Sequence, residues 1–205
     1  MNFSEIYNSI QTNFIQTSIT EWIIFISAII YILLIAAENA WGWLFGIIAS
    51  IVSVYLCYTG NLFLESGLNV FYAIVGFYGW YQWLYGSKDK KEIQISENTK
   101  LKNGYLILLG CLIWIPFAIL AKKYSTQALP YLDAFITTFS LIATWMTTKK
   151  MIENWLYWII VDALGILLFG NRGFYLLALL NIIYTSMAIA GYFSWRKKMT
   201  LSGLH

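Results

Sequence analysis

The sequence predicts an all-α membrane protein with seven transmembrane helices, set out as two parallel three-helix repeats joined by one helix. Three observations carry that prediction. The 205-residue chain is 60% hydrophobic and only 11% charged, whereas soluble domains run near about 25% charged. The apolar residues gather in seven runs, near 22–37, 41–58, 62–85, 105–121, 128–147, 155–169 and 174–195, and a membrane span needs roughly twenty residues, fewer when its flanks reach the interface. Finally, Asn69, Tyr72, Gly79 and Trp83 recur as Asn181, Tyr184, Gly191 and Trp195, each 112 positions later.

The elements follow in order. Residues 1–20 are mixed and read as a short amphipathic segment on the outer side. With no Lys or Arg before the first apolar run, they do not resemble a cleaved signal peptide. Residues 21–85 form the first repeat, 86–127 a cytoplasmic loop and linker helix, 128–195 the second repeat and 196–205 a cytoplasmic tail. Charge sets the orientation: the loops on the N-terminal side hold Lys122, Lys123 and Arg172, and those on the other side hold the remaining ten basic residues, from Lys88 to Lys198. Basic residues favour the cytoplasm, so the N-terminus is expected outside and the C-terminus inside. The run 155–169 is short, and Glu153, Asn154 and Asn171 flank it. Pro116 is expected to bend the linker helix.

Upstream of the shared 112-residue step, Glu38-Asn39 and Trp43 match Glu153-Asn154 and Trp158 at a step of 115, which implies a three-residue change in the loop between helices. On that reading Trp43 occupies in the first repeat the place of Trp158 in the second. Parallel repeats of this kind are one way to build a transporter around a central site.

The candidate site grows from polar groups set in apolar runs. Trp155, Trp158 and Asp162 fall at spacings of three and four, one face of a helix. A carboxylate at that depth is costly unless it faces a cavity or a partner. Asp162 fits two roles: balancing a cationic substrate or bonding its hydroxyls, and steadying the helix as an internally bonded carboxyl. Asn69 and Asn181 offer donor and acceptor together, suited to a nucleoside hydroxyl or carboxamide, and also to a bond between helices. Tyr72 and Tyr184 lie one turn further on, where they can meet a ligand or pack. Trp80 and Trp83, near the lysine-rich side, read as interface anchors. Asp133 suits a backbone or tyrosine partner, and Glu38, Glu65 and Glu153 sit near helix ends where a charge reaches water. The glycines read as close-packing positions. Cys57 and Cys111 lie in apolar runs and read as packing residues.

Enzyme chemistry is disfavoured. The chain has one histidine, His205 in the tail, no HExxH, no Cys/His cluster and no phosphate-binding glycine loop. No metal site, cofactor or nucleic-acid partner is expected; the partners are a small substrate and membrane lipid.

The stretches WLFGIIASIVSVYL, LNVFYAIVGFYGWYQW and ATWMTTKKMIENWLYWIIVDALGILLF, and within them GWYQW and ENWLYWxxxD, carry a resemblance. Across residues 20–198 the chain resembles the PnuC family of bacterial vitamin transporters, typified by carriers of nicotinamide riboside. The resemblance implies a three-plus-one-plus-three fold like a full-length SWEET arrangement, a homotrimer in the cytoplasmic membrane, and facilitated diffusion. Uptake is then driven by a cytoplasmic kinase that phosphorylates the substrate, with no ion coupling. Trp155 and Trp158 resemble the family's tryptophan pair beside the substrate ring, and Asn181 its binding amide. Asn69 stands where members often carry glutamine. Relatives specific for thiamine and riboflavin share the aromatic framework, so thiamine is the alternative substrate, with riboflavin behind it.

Overall fold

The computed structural model describes residues 3–60, 63–87, 92–124 and 128–201. Lys88, Lys90 and Lys91 of the lysine-rich side, and His205, lie outside the described residues. Within them the chain forms eight helices: α1 (Phe3–Gln16), α2 (Ile19–Ala36), α3 (Gly42–Thr59), α4 (Phe63–Tyr85), α5 (Lys100–Tyr124), α6 (Pro130–Thr148), α7 (Asn154–Asn171) and α8 (Tyr175–Leu201). The mixed N-terminal segment is therefore a helix of its own, α1, and the seven apolar runs fall in α2 to α8. Five of these, α2, α3, α5, α7 and α8, are long and apolar enough to cross a membrane. The other two, α4 with Glu65, Asn69 and Gln82 and α6 with Asp133 and six Ser or Thr hydroxyls, are more polar.

Local chemistry sets the ends. Ser18 begins α2 with a reciprocal cap: its Oγ accepts from Glu21 N at 3.2 Å, and Glu21 Oε2 accepts from Ser18 N at 2.7 Å. Pro130 stands at the first position of α6, where its missing N–H costs nothing. At the end of α7, Gly173 takes φ +78, and Phe174 N reaches back to Phe169 O at 2.9 Å. That is the left-handed glycine stop.

The described chain divides into two compact units. One comprises α1, α5, α6 as far as Ala143, α7, and α8 as far as Ile189. Its core stacks Phe135 on Phe139 at 4.3 Å, with Tyr157 6.1 Å from Phe139. Arg172 donates to Asp133 Oδ2 at 2.8 Å and to Ala128 O, tying the end of α7 to the start of α6. Asp133 thus has a guanidinium partner where a backbone or tyrosine partner was expected. Glu153 is buried, not turned to water: its Oε1 accepts from Asn98 N at 2.7 Å and Asn103 Nδ2 at 3.1 Å.

The other unit comprises α2, α3, α4, the segment Thr144–Ile152, and α8 from Ala190 onward. Here α3 packs between α2 and α4, and the glycine positions let the helices close. A Cβ on Gly79 would lie 2.6 Å from the Trp43 ring, too close for any real side chain.

This unit also fixes the register of the repeat. The bends after α2 and α6 each place one residue at positive φ, Glu38 at 61° and Lys150 at 49°, and these two are 112 positions apart. Glu38 N bonds to Ile35 O as Lys150 N bonds to Thr147 O, and Asn39 N to Leu34 O as Met151 N to Met146 O. Then the repeats exchange partners: Trp83 Nε1 donates to Thr147 O at 3.0 Å, and Trp195 Nε1 to Ile35 O at 3.1 Å. Equivalent groups trading equivalent bonds is the pattern of two-fold-like packing.

One step of 112 therefore runs through both repeats, and the step of 115 is incorrect. The two Glu-Asn dipeptides do different jobs: Glu38 is the left-handed bend residue, whereas Glu153 immediately precedes α7. Trp43 is the counterpart of Trp155, and both are nearly fully buried, at 2% and 3% exposure. Trp158 instead corresponds to Gly46, Asp162 to Ser50, and Tyr31 to Ala143.

Two further expectations change at this end. Trp83 is 1% exposed and belongs to the core, not to an interface. Glu38, expected to reach water, pairs with Lys150 at 3.2 Å and Lys198 at 3.1 Å. Lys150 also lies 4.5 Å over the Trp83 ring, and Lys149 donates to the Tyr78 hydroxyl. These two lysines are turned into protein.

Candidate functional site

Each unit carries its own set of the expected residues. In the first, α7 presents Trp155, Trp158 and Asp162 along one face by helical spacing, with Gly165 nearly one turn beyond. Trp155 is buried and Trp158 half-buried. Asp162 is 8% exposed. Burying a carboxyl to this extent is costly unless a partner or a ligand meets it.

On α8, Asn181 and Tyr184 come to the same neighbourhood. The Asn181 amide presses on Gly165, where an added Cβ would lie 2.2 Å from Oδ1. Tyr184 lies within electrostatic range of Asp162. Trp158, Asp162, Asn181 and Tyr184 are thus carried by adjoining helix faces, with a flat indole, an acid, an amide and a phenol. That set can stack on a planar ring, offset positive charge, and bond hydroxyl or carboxamide groups.

In the second unit, Trp43 is enclosed by Tyr31 (5.7 Å, edge-to-face), Trp83 (5.8 Å, edge-to-face) and Gly79. Its Nε1 is buried without a hydrogen-bond partner among the described residues. Tyr72 lies within electrostatic range of Tyr31. Asn69 bonds through Nδ2 to Glu65 O at 2.9 Å, the same bond that Asn181 makes to Leu177 O at 2.8 Å. Each amide therefore retains one donor hydrogen and its carbonyl oxygen for another partner.

Sequence reasoning passed over Tyr31 and the buried hydroxyls of α6, Thr138, Ser140, Thr144, Thr147 and Thr148. Tyr31 sits in a uniformly apolar run, where one phenol gives no signal. A Thr every few positions along 137–148 was visible, and it marks a helix too polar to face lipid alone. Among the described residues no cluster of His, Cys, Asp and Glu could hold a metal ion.

Residues 18–197 match the family model described as nicotinamide mononucleotide transporter. The riboflavin/roseoflavin transporter RibM of Streptomyces davaonensis is 25% identical, the alignment covering 77% of this chain and 75% of RibM. The nicotinamide riboside transporter PnuC of Escherichia coli is also 25% identical, over 83% of this chain and 82% of its own. The crystal structure of the vitamin B3 transporter PnuC superposes with a TM-score of 0.72 at 22% identity, covering 94% of this chain and 87% of that one; the fold is shared. The chain belongs to the nicotinamide mononucleotide transporter family, the PnuC transporters.

Proposed function

We propose that this protein carries nicotinamide riboside across the bacterial cytoplasmic membrane by facilitated diffusion with alternating access. The observation that carries the preference for a cationic vitamin is Asp162, a carboxyl buried on the Trp158 face of α7. Nicotinamide riboside is a pyridinium cation. It would supply a charge opposite to the carboxylate while Trp158 and Trp155 stack on its ring. Asn181 would bond its carboxamide or ribose hydroxyls, with Tyr184 beside it; Asn69, Tyr72 and Trp43 are the corresponding set of the first repeat. The riboside is favoured over the mononucleotide because a phosphate would be repelled by Asp162.

The remaining parts of the reading extend from the family. Helices α2 to α8 are taken as seven spans in a three-plus-one-plus-three, SWEET-like order, with the domain limits, outside N-terminus and cytoplasmic C-terminus given by the charge bias. Assembly is as a homotrimer. Net uptake is drawn by a cytoplasmic kinase that phosphorylates the arriving substrate.

Riboflavin is the second reading, supported by the equal identity to RibM. It is neutral, so it leaves Asp162 uncompensated. Titration of the purified protein with nicotinamide riboside, riboflavin and thiamine tests the assignment. Saturable binding of nicotinamide riboside, weakened by Asp162→Asn and by Trp158→Ala, is expected. Binding of riboflavin alone, or of thiamine alone, would overturn the substrate, and binding of none of the three would overturn the function.

A further inference from the structure

With the repeat register set at 112, the second-repeat indole Trp158 has no first-repeat equivalent on its own helix, because that position is Gly46. The space over Gly46 is nonetheless filled. The Tyr31 ring from α2 lies against it, so close that a Cβ on Gly46 would stand 2.9 Å from Cδ2 and 3.1 Å from Cε2. The counterpart of Tyr31 is Ala143, fully buried and too short to reach beyond its own helix. Each repeat therefore has one large aromatic residue at this pair of positions, on α2 in the first repeat and on α7 in the second. The pairings are Tyr31 with Gly46, and Ala143 with Trp158.

The surroundings of Tyr31 fit a ligand-facing role. Its ring meets Trp43 edge-on at 5.7 Å, and Trp43 holds a buried indole N–H without a hydrogen-bond partner among the described residues. Tyr72, one of the expected site residues, lies within electrostatic range. Ser50, the counterpart of Asp162, turns its hydroxyl to Gly46 O at 2.9 Å. The first repeat thus lacks a carboxylate at this place and offers a phenol.

We propose that Tyr31 is a substrate-contacting, specificity-determining residue, the first-repeat equivalent of Trp158 transferred to the adjacent helix. Its ring covers one side of the vitamin, and its hydroxyl bonds a hydroxyl of the ribosyl or ribityl portion. This inference rests on the transport reading above and names a residue that reading does not use.

The test is a binding titration of the full-length purified protein with nicotinamide riboside and, in parallel, riboflavin. The variants are Trp158→Ala, Tyr31→Ala, Tyr31→Phe and the swap Tyr31→Ala with Gly46→Trp. Tyr31→Ala should weaken the saturating vitamin about tenfold, as Trp158→Ala does. Tyr31→Phe, which keeps the ring, should lose about threefold to tenfold with an unchanged melting temperature. The swap, which rebuilds the second-repeat arrangement, should recover most of the loss. If Tyr31→Ala fails to fold, Tyr31→Phe decides alone. Wild-type affinity in Tyr31→Phe, or in a folded Tyr31→Ala, while Trp158→Ala is impaired, overturns the assignment of Tyr31 and leaves the transport reading standing. Failure of the wild type to bind either vitamin defeats the substrate readings above, and this inference with them.

Discussion

Gly165→Ala isolates the contact that holds the Asn181 amide. The added Cβ would lie 2.2 Å from Asn181 Oδ1, 2.8 Å from Cγ and 3.4 Å from Nδ2. Relief requires either that α7 and α8 separate by several tenths of an ångström or more, or that the amide turn. Turning strains or breaks the 2.8 Å bond from Nδ2 to Leu177 O, worth about 1 kcal/mol, and an off-rotamer side chain adds about 0.5–1.5 kcal/mol. Alanine's helix propensity returns up to about 1 kcal/mol. The net stability loss is therefore about 0.5–1.5 kcal/mol, while a displaced amide weakens substrate binding by about tenfold. The assay is a double-mutant cycle with Asn181→Ala, read by denaturation in detergent and by vitamin titration. In the Asn181→Ala background the clash is gone, so Gly165→Ala should be neutral or slightly stabilising there. Equal destabilisation in both backgrounds, or unchanged affinity of Gly165→Ala in the otherwise wild-type protein, would refute the reasoning.

Other outcomes follow from the same geometry. Trp83→Phe and Trp195→Phe each remove one indole bond to a carbonyl that keeps a backbone donor, Lys150 N or Glu38 N. Each should cost about 1–2 kcal/mol, and the two costs should agree within about 0.5 kcal/mol; a silent Trp195→Phe beside a damaging Trp83→Phe would count against the shared register. Glu38→Ala strips Lys150, 3% exposed, of its carboxylate, and breaking such a buried pair costs about 3–5 kcal/mol. Lys150→Met should be much milder, since Glu38 retains Lys198 at 3.1 Å; equal losses in a denaturation series would show that the pair is not the source. Asp162→Asn should weaken a cationic vitamin by at least about tenfold and leave a neutral one nearly unaffected, measured by the same titrations.

The sequence makes much of this fold readable because lipid imposes a simple code. Long apolar runs can only be helices there, since every backbone group must be satisfied internally, and each of the seven runs largely coincides with one of α2 to α8. The face shared by Trp155, Trp158 and Asp162 was readable from spacing alone. The register of the repeat was only partly readable. Asn69, Tyr72, Gly79 and Trp83 carried the correct step, but the Glu-Asn dipeptides suggested a false one, because identical side chains stand at different backbone positions. The left-handed residues Glu38 and Lys150, with the matched bonds around them, reveal the true alignment. Trp83 illustrates a second limit: its place near the lysine-rich end of α4 suggests an interface anchor, but the direction of its ring toward Thr147 depends on packing. Glu38 and Glu153 were near helix ends as expected, and both found protein partners in place of water. Tyr31 was hidden for the opposite reason, since its significance lies in the absence of a side chain at Gly46.

The most direct test of the account is uptake of labelled nicotinamide riboside by liposomes containing the purified protein, without ATP and without an ion gradient. Saturable entry that stops when inside and outside concentrations match, that needs about tenfold more substrate to saturate in Trp158→Ala, and that does not extend to the mononucleotide is the predicted result. Entry no faster than into empty liposomes, or entry of the mononucleotide at a comparable rate, would contradict it.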